Sequence, residues 1–200
     1  MRKSRISTGI IGLGKIGLLY DLNTRKILTY SKALTKNKLF KLDFACDPNK
    51  QKLKIFKETY GTNCFENLKD AFKIYKSDLI IICASTKSHY SIFKKIISVY
   101  SPKAFIFEKP FTDNFKHANK IFKICKKKNI KIFVNYIRSL NPKFHEIKRK
   151  YLSDNYKKFD FNFYYTGEFL NNGSHFIDLM IYLRGYPDDY QLLKKKNKFF

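Results

Sequence analysis

The segment from Ile6 to Gly17, Ile-Ser-Thr-Gly-Ile-Ile-Gly-Leu-Gly-Lys-Ile-Gly, restricts the fold of this chain more than any other. Residues 6 to 12 read as a short buried strand. It runs straight into Gly12-Leu13-Gly14-Lys15-Ile16-Gly17, a G-x-G-x-x-G pattern after a strand and before an expected helix, the setting that gives the pattern its weight. Gly12 permits a tight turn, Gly14 lets the backbone approach a pyrophosphate, and Gly17 lets the helix pack closely on the strand. The helix start would offer unpaired N–H groups and a favourable dipole to the phosphates. A glycine turn in an ordinary sheet protein is the alternative, and the strand and helix on either side favour dinucleotide binding.

The pattern continues in the same rhythm. Leu39 to Cys46 alternates as a second strand, and Pro48 stands where it starts a helix at its first position, with Leu53, Phe56 and Tyr60 on one stripe. Asn63 to Phe65 reads as a brief strand and Leu68 to Tyr75 as a helix. Asp78 to Cys83 is a continuous apolar run of the kind a strand covered on both faces requires. Tyr90 to Tyr100 reads as helix, Ala104 to Phe107 as strand, Asn114 to Lys127 as helix with Phe115, Ala118, Phe122 and Cys125 in register, and Ile130 to Asn135 as a sixth strand. Parallel neighbours need crossovers that place helices on both faces, so this order predicts an α/β, doubly wound parallel sheet over residues 1–138. Residues 139–200 read as the beginning of an α+β domain: a helix from Pro142 to about Leu152, a strand over 157–165 alternating Phe159, Phe161, Phe163 and Tyr165, and a helix from Ser174 to Leu183.

Composition removes several function classes. The formal charge is +25, which invites a nucleic-acid reading, but the cations are 35 Lys against 6 Arg and are scattered through nearly every segment. That looks like a compositional bias over the whole chain, so nucleic acid is not the expected partner; Lys194 to Lys198 reads as a solvated tail. Cys46, Cys64, Cys83 and Cys125 form no C-x-x-C pair, and no metal-ligand spacing links His89, His117 and His145, so no metal is expected. No apolar run approaches the ~20 residues that span a bilayer, and residues 1 to 8 lack the features of a signal peptide, giving a cytoplasmic expectation.

Asp47 ends the second strand, where a carboxylate accepts hydrogen bonds from ribose hydroxyls. That favours NAD over NADP, since a 2′-phosphate would meet a negative charge. Its separation of 30 residues from Gly17 requires the intervening segment to loop out, and a plain turn aspartate before Pro48 is the competing reading. Lys50 nearby leaves NADP open.

Five segments together resemble the glucose-fructose oxidoreductase and inositol dehydrogenase family, Gfo/Idh/MocA. They are Gly9 to Gly17, Cys83-Ala-Ser-Thr-Lys-Ser-His-Tyr90, Glu108-Lys109-Pro110, Asn135-Tyr-Ile-Arg138 and Asn172-Gly-Ser-His-Phe-Ile-Asp178, in the family's order across residues 6 to 185. The resemblance implies a Rossmann-type domain and an NAD(P)-dependent oxidoreductase acting on a secondary alcohol of a sugar, cyclitol or sugar-nucleotide derivative. Ala84, Ser85 and Thr86 would run beneath the cofactor, with His89, Glu108 and Lys109 beside it. Lys109 would also orient the substrate, and His175 would take the hydroxyl proton in the oxidation direction, a task suited to a near-neutral imidazole.

Arg138, Asn171 and Asp178 are the further candidates for substrate contact. A partly buried His175 satisfied by Asp178, one helical turn on, is the bland alternative, and Asn135 and Arg138 equally fit strand-end hydrogen bonding. The family often has an acid where this chain has Asn171, and it continues into a broad antiparallel sheet that commonly mediates homo-oligomerisation. The chain is therefore expected to be C-terminally truncated. A non-catalytic dinucleotide-binding protein, or a truncated remnant, is the alternative function.

Overall fold

In a computed structural model of the chain, described here for residues 4–151 and 161–191, the polypeptide divides into two compact units after Asn135. The first holds six parallel strands, β1 (Ile6–Ile11), β2 (Phe40–Cys46), β3 (Asn63–Phe65), β4 (Leu79–Ile82), β5 (Ala104–Phe107) and β6 (Lys131–Val134). They lie in the order β3-β2-β1-β4-β5-β6, each paired in parallel with its neighbours. Five helices connect them: α1 (Tyr30–Lys36), α2 (Lys50–Tyr60), α3 (Leu68–Ile74), α4 (Thr86–Ile97) and α5 (Phe115–Lys127). This is the doubly wound sheet that the alternating pattern predicts.

The strands explain their own composition. Successive side chains of a strand point to opposite faces, so Ile10, Ala45 and Ile81 join Leu34, Leu53 and Phe56 in one core, and Ile11, Ile80 and Ile82 join Phe93, Ile96 and Ile121 in the other. The uninterrupted apolar run of β4 is required because both faces are covered, and all four of its residues are buried. Phe44, Phe56, Phe93, Phe105 and Phe107 are fully buried, each worth roughly 1.5–3 kcal/mol of transfer free energy.

Three local expectations are corrected. No α-helix opens at the glycine motif: the chain makes a turn closed by Leu18 N donating to Gly14 O, passes into a 3-10 turn at Leu19–Asp21, and only reaches α1 at Tyr30. The diversion is held by Asp21, whose carboxylate accepts from Leu28 N, Thr29 N and the Thr29 hydroxyl. Pro48 does not take the first helical position of α2; Asn49 caps that helix by accepting from Lys52 N at 3.0 Å, which puts Pro48 before the cap. In α5 the buried stripe is Ile121 and Cys125, and Phe115 and Phe122 are exposed, because the sheet meets the adjacent row of that helix.

The second unit, from Tyr136, contains α6 (Pro142–Tyr151), a π-helical turn at Phe169–Gly173 and α7 (Ser174–Arg184). Lys148 Nζ joins α6 to α7 by donating to Tyr182 O at 2.6 Å. Residues 161–165 of the expected strand over 157–165 do not form a strand, and 157–160 and the lysine run 194–198 lie outside the described residues. Phe161 and Phe163 instead stack, and Phe163 and Tyr165 pack on Phe176 of α7. Among the described residues no helix is long and apolar enough to cross a membrane.

Candidate functional site

In open α/β sheets the carboxyl ends of the strands at the point where strand order reverses form a crevice, here between β1 and β4. The parallel ladder carries the chain to that crevice in register: Gly12 N donates to Cys46 O at 2.8 Å, Cys83 N to Ile11 O at 2.9 Å and Glu108 N to Ile82 O at 2.9 Å. A cavity of about 660 Å³ opens there, lined by Gly12, Gly14, Asp47, Ala84 and Ser85 among others.

The three glycines of the motif do different things. Gly12 has φ +100°, and a Cβ there would come within 2.5 Å of Ala84 N. A Cβ at Gly17 would collide with Gly12 O, so Gly17 is needed for the turn to fold back on its own strand. A Cβ at Gly14 would meet nothing within 4 Å, yet Gly14 lines the cavity. Its missing side chain leaves room for a ligand, the cradle that an approaching pyrophosphate requires.

Asp47 makes the local contacts of a turn aspartate and also lines the cavity. Its Oδ2 accepts from Leu13 N at 2.7 Å and its Oδ1 from Asn49 N at 2.9 Å, so the carboxylate ties the glycine turn to the start of α2. It also lines the cavity, with Lys52 Nζ 3.8 Å from Oδ2. Burial, and then the Asp47 carboxylate, pushes the Cys46 thiol up to about 12, so that sulfur is a packing group.

The remaining residues expected around the cofactor divide into wall and frame. Ala84 and Ser85 line the cavity, and Ser85 Oγ lies 2.8 Å from Ser88 Oγ at the start of α4. Leu13 is fully buried, Lys15 is exposed and Ile16 packs against the α1 side of the sheet; these hold the turn. Thr86 begins α4.

His89 is fully buried, with Nδ1 3.0 Å from Phe111 O and Nε2 3.0 Å from Ala84 O. It therefore ties the loop after β4 to the segment after β5. Lys109 is half-buried and joined to Pro110 by a cis peptide bond. Among the described residues no group of three or more His, Cys, Asp or Glu is placed to hold a metal ion.

Sequence reasoning missed the group that frames Glu108. Tyr30 Oη donates to Glu108 Oε1 at 2.6 Å and Asn135 Nδ2 donates to the same oxygen at 2.7 Å. Burial, and then the Glu108 charge, raises the Tyr30 phenol far above its ordinary range, so it stays a donor. Nothing in sequence flags Tyr30, which lies in the long crossover after the glycine motif. Asn135, in contrast, stands at a strand end within a quoted motif.

In the second unit, α7 carries His175, Leu179 and Leu183 on one buried stripe. The ring of Tyr136 meets His175 edge-on at 5.7 Å. Burial raises the Asp178 carboxyl above the ordinary carboxylate range against the opposing effect of the Ser139 hydroxyl, and Asp178 lies one turn beyond His175. Burial also raises the Tyr136 phenol, which Ser174 opposes and the Asp178 charge reinforces. The Arg138 guanidinium lies 4.4 Å over the Phe176 ring, a packing role in this unit, and Asn171 is exposed in the π-helical turn.

Solved structures share this fold. A scyllo-inositol dehydrogenase from Lactobacillus casei is 20% identical, with a TM-score of 0.74 over 92% of this chain and 56% of that one. The same enzyme solved with NAD(H) and scyllo-inositol is 19% identical, with a TM-score of 0.73 over 91% and 57%. The WlbA dehydrogenase from Chromobacterium violaceum, in complex with NADH and UDP-GlcNAcA, is 19% identical, with a TM-score of 0.75 over 92% and 57%. The chain thus spans little more than half the length of these proteins. No curated protein matches the sequence. A family profile described as an oxidoreductase family with an NAD-binding Rossmann fold matches residues 6–136, the six strands and the glycine turn together, and the chain therefore belongs to the Gfo/Idh/MocA family of oxidoreductases.

Proposed function

We propose that this protein transfers a hydride between a nicotinamide cofactor and a secondary alcohol of a sugar, cyclitol or sugar-nucleotide derivative. The observation that carries the reading is the open space over Gly14 at the strand ends, bounded by Asp47 on one side and Ala84 and Ser85 on the other. Backbone N–H groups of the turn and the carboxylate of Asp47 fit a pyrophosphate and a ribose. The structures of related fold that hold NADH or NAD(H) also hold scyllo-inositol or UDP-GlcNAcA, which supports polyhydroxylated substrates.

The residues divide the work by their chemistry. Bound NAD supplies the acceptor for the hydride that leaves the carbinol carbon. Lys109 donates hydrogen bonds that hold the reacting hydroxyl, and His175 takes its proton, so that the alcohol becomes a ketone with charge balanced. Arg138, Asn171 and Asp178 are the remaining candidates for substrate contact. Asn171 offers an amide where an acid would contribute charge, so it acts on substrate choice.

Titration of the protein with NADH, followed by nicotinamide fluorescence, is the first test. Saturable binding that Gly14→Asp abolishes, followed by NAD reduction with an inositol or a sugar alcohol that His175→Asn abolishes without loss of NADH binding, is the expected result. Folded protein that ignores NADH overturns the reading. NADH binding with no turnover across that panel favours the non-catalytic dinucleotide-binding alternative.

A further inference from the structure

β6 is an outer strand of the sheet, paired with β5 on one side and with no strand on the other among the described residues. Lys131 N donates to Lys103 O at 3.0 Å and Asn135 N to Phe107 O at 2.9 Å, so alternate residues of β6 bond to β5. Ile132 and Val134, between them, turn their backbone N–H and C=O groups outward, where another extended chain could pair with them. Proteins ordinarily guard such an edge with charges, proline or a covering element. β6 carries a single charge, Lys131, beside Ile132, Phe133 and Val134.

An added strand would send successive side chains to opposite faces, and each face has an apolar recess beside β6 to receive them. On the α5 side a cavity of about 540 Å³ is lined by Phe111, Phe122, Ile132 and Val134 among others. On the other side one of about 490 Å³ is lined by Ile6, Ile106 and Phe133 among others. Phe122 and Phe133 are 57% and 58% exposed. The walls are basic: Lys126 and Lys131 line the first cavity and Arg5 and Lys103 the second, against the single carboxylate of Asp78, which Lys103 engages at 3.1 Å. A second copy of the chain would bring the same cations, and a formal charge of +25, against this edge, whereas an acidic chain would complement it.

We propose that the outer edge of β6 binds an extended segment of another protein as a seventh strand, and that this segment is apolar at its centre and acidic at its flanks. Outward backbone groups of Ile132 and Val134 supply the pairing, the two recesses take alternate apolar side chains, and the basic walls select the acidic flanks. The edge lies apart from the cavity over Gly14, so the interaction does not depend on cofactor or substrate.

The test is titration of the intact chain, followed by fluorescence polarisation, with a labelled peptide that carries a short apolar centre between paired glutamates. Saturable binding that weakens as salt rises is expected, because the flanking contacts are screened. Methylating alternate backbone nitrogens of the peptide should weaken it about tenfold, the size expected of one or two lost hydrogen bonds. Val134→Pro removes an outward N–H while sparing the bonds to β5, and should act alike. Phe133→Ser truncates an exposed ring, so the fold is kept, checked by circular dichroism, and binding falls severalfold. Absence of saturable binding, equal binding of the methylated peptide, or equal binding of a lysine-flanked peptide overturns the proposal. A native chain that sediments as a dimer, dissociated by Phe133→Ser, would place a second copy on the edge and overturn it as well.

Discussion

The Tyr30 hydroxyl donates to Glu108 Oε1 at 2.6 Å, linking the start of α1 to the end of β5 across 78 residues of sequence. Asn135 shares that oxygen at 2.7 Å. Two donors from opposite ends of the first unit therefore fix the acid that precedes Lys109, and the orientation of the Glu108-Lys109-Pro110 segment depends on a residue with no motif of its own. Tyr30→Phe removes one donor from a partly buried carboxylate. It is expected to cost about 1–3 kcal/mol of unfolding free energy, read from urea denaturation. An unchanged midpoint would mean that Asn135 alone holds Glu108.

The glycines of the turn are expected to separate folding from binding. Gly17→Ala drives a Cβ into the carbonyl of Gly12, and Gly12→Ala adds strain at φ +100°. Both should lower the thermal midpoint by several degrees or prevent folding, since such strain costs of order 1–3 kcal/mol. Gly14→Ala meets open space, so its midpoint should stay near native while NADH affinity falls. A Gly14→Ala protein that melts early would sink this division of roles.

His89→Leu removes the ring that reaches the partly buried carbonyls of Ala84 and Phe111. The cost of stranding a carbonyl is about 1–3 kcal/mol. His89→Gln, which keeps a donor, should recover part of the loss. Chemical denaturation of the two variants side by side reads this directly, and equal losses would argue that ring packing on Phe107 is the main contribution.

Acid should act on the first unit through Asp21. Burial alone would raise this carboxyl, but hydrogen bonds from Leu28 N, the Thr29 hydroxyl and Thr29 N, with the Lys32 charge, hold it below its ordinary value. A carboxyl lowered in the folded state contributes stability that is present above the unfolded pKa of about 3.9 and is lost as pH falls through the folded value. Asp21→Asn should therefore be less stable than the native protein at pH 7, with the gap narrowing in acid. Parallel unfolding curves at pH 7 and pH 3 test it.

Asp178 should behave in the opposite sense. Burial raises it, so the folded state favours the neutral carboxyl; that stability is present below the unfolded pKa and is lost as pH rises through the raised value. Asp178→Asn keeps a polar partner for Ser139 without the charge. It is expected to melt higher than the native protein at pH 7 and equally at pH below about 4. A variant less stable at both pH values would show that the ionised carboxylate is held by a favourable partner.

The order of elements was legible in sequence because each strand of a doubly wound sheet must be apolar on both faces and each crossover must return a helix to it. Asn63 to Phe65 and Ala104 to Phe107 could be bounded to the residue, and β4 announced itself as an unbroken apolar run. The glycine turn was legible for a steric reason: φ +100° at Gly12 and the absent Cβ at Gly17 admit no other residue without distortion. What periodicity could not read was anything settled by partners far along the chain. The expected helix after Gly17 gives way to a turn because Asp21 captures the backbone of Leu28 and Thr29, and the stripe of α5 is the row the sheet meets.

The sequence by itself determined the fold class and the residues at the crevice, since local sterics and the alternation of apolar runs are properties of neighbours in the chain. Only the tertiary structure decided how those residues are used. Asp47 is held by Leu13 and Asn49 and matched by Lys52, and Glu108 is framed by Tyr30 and Asn135. A carboxylate's role depends on which donors surround it in space, and spacing along a chain carries no record of that.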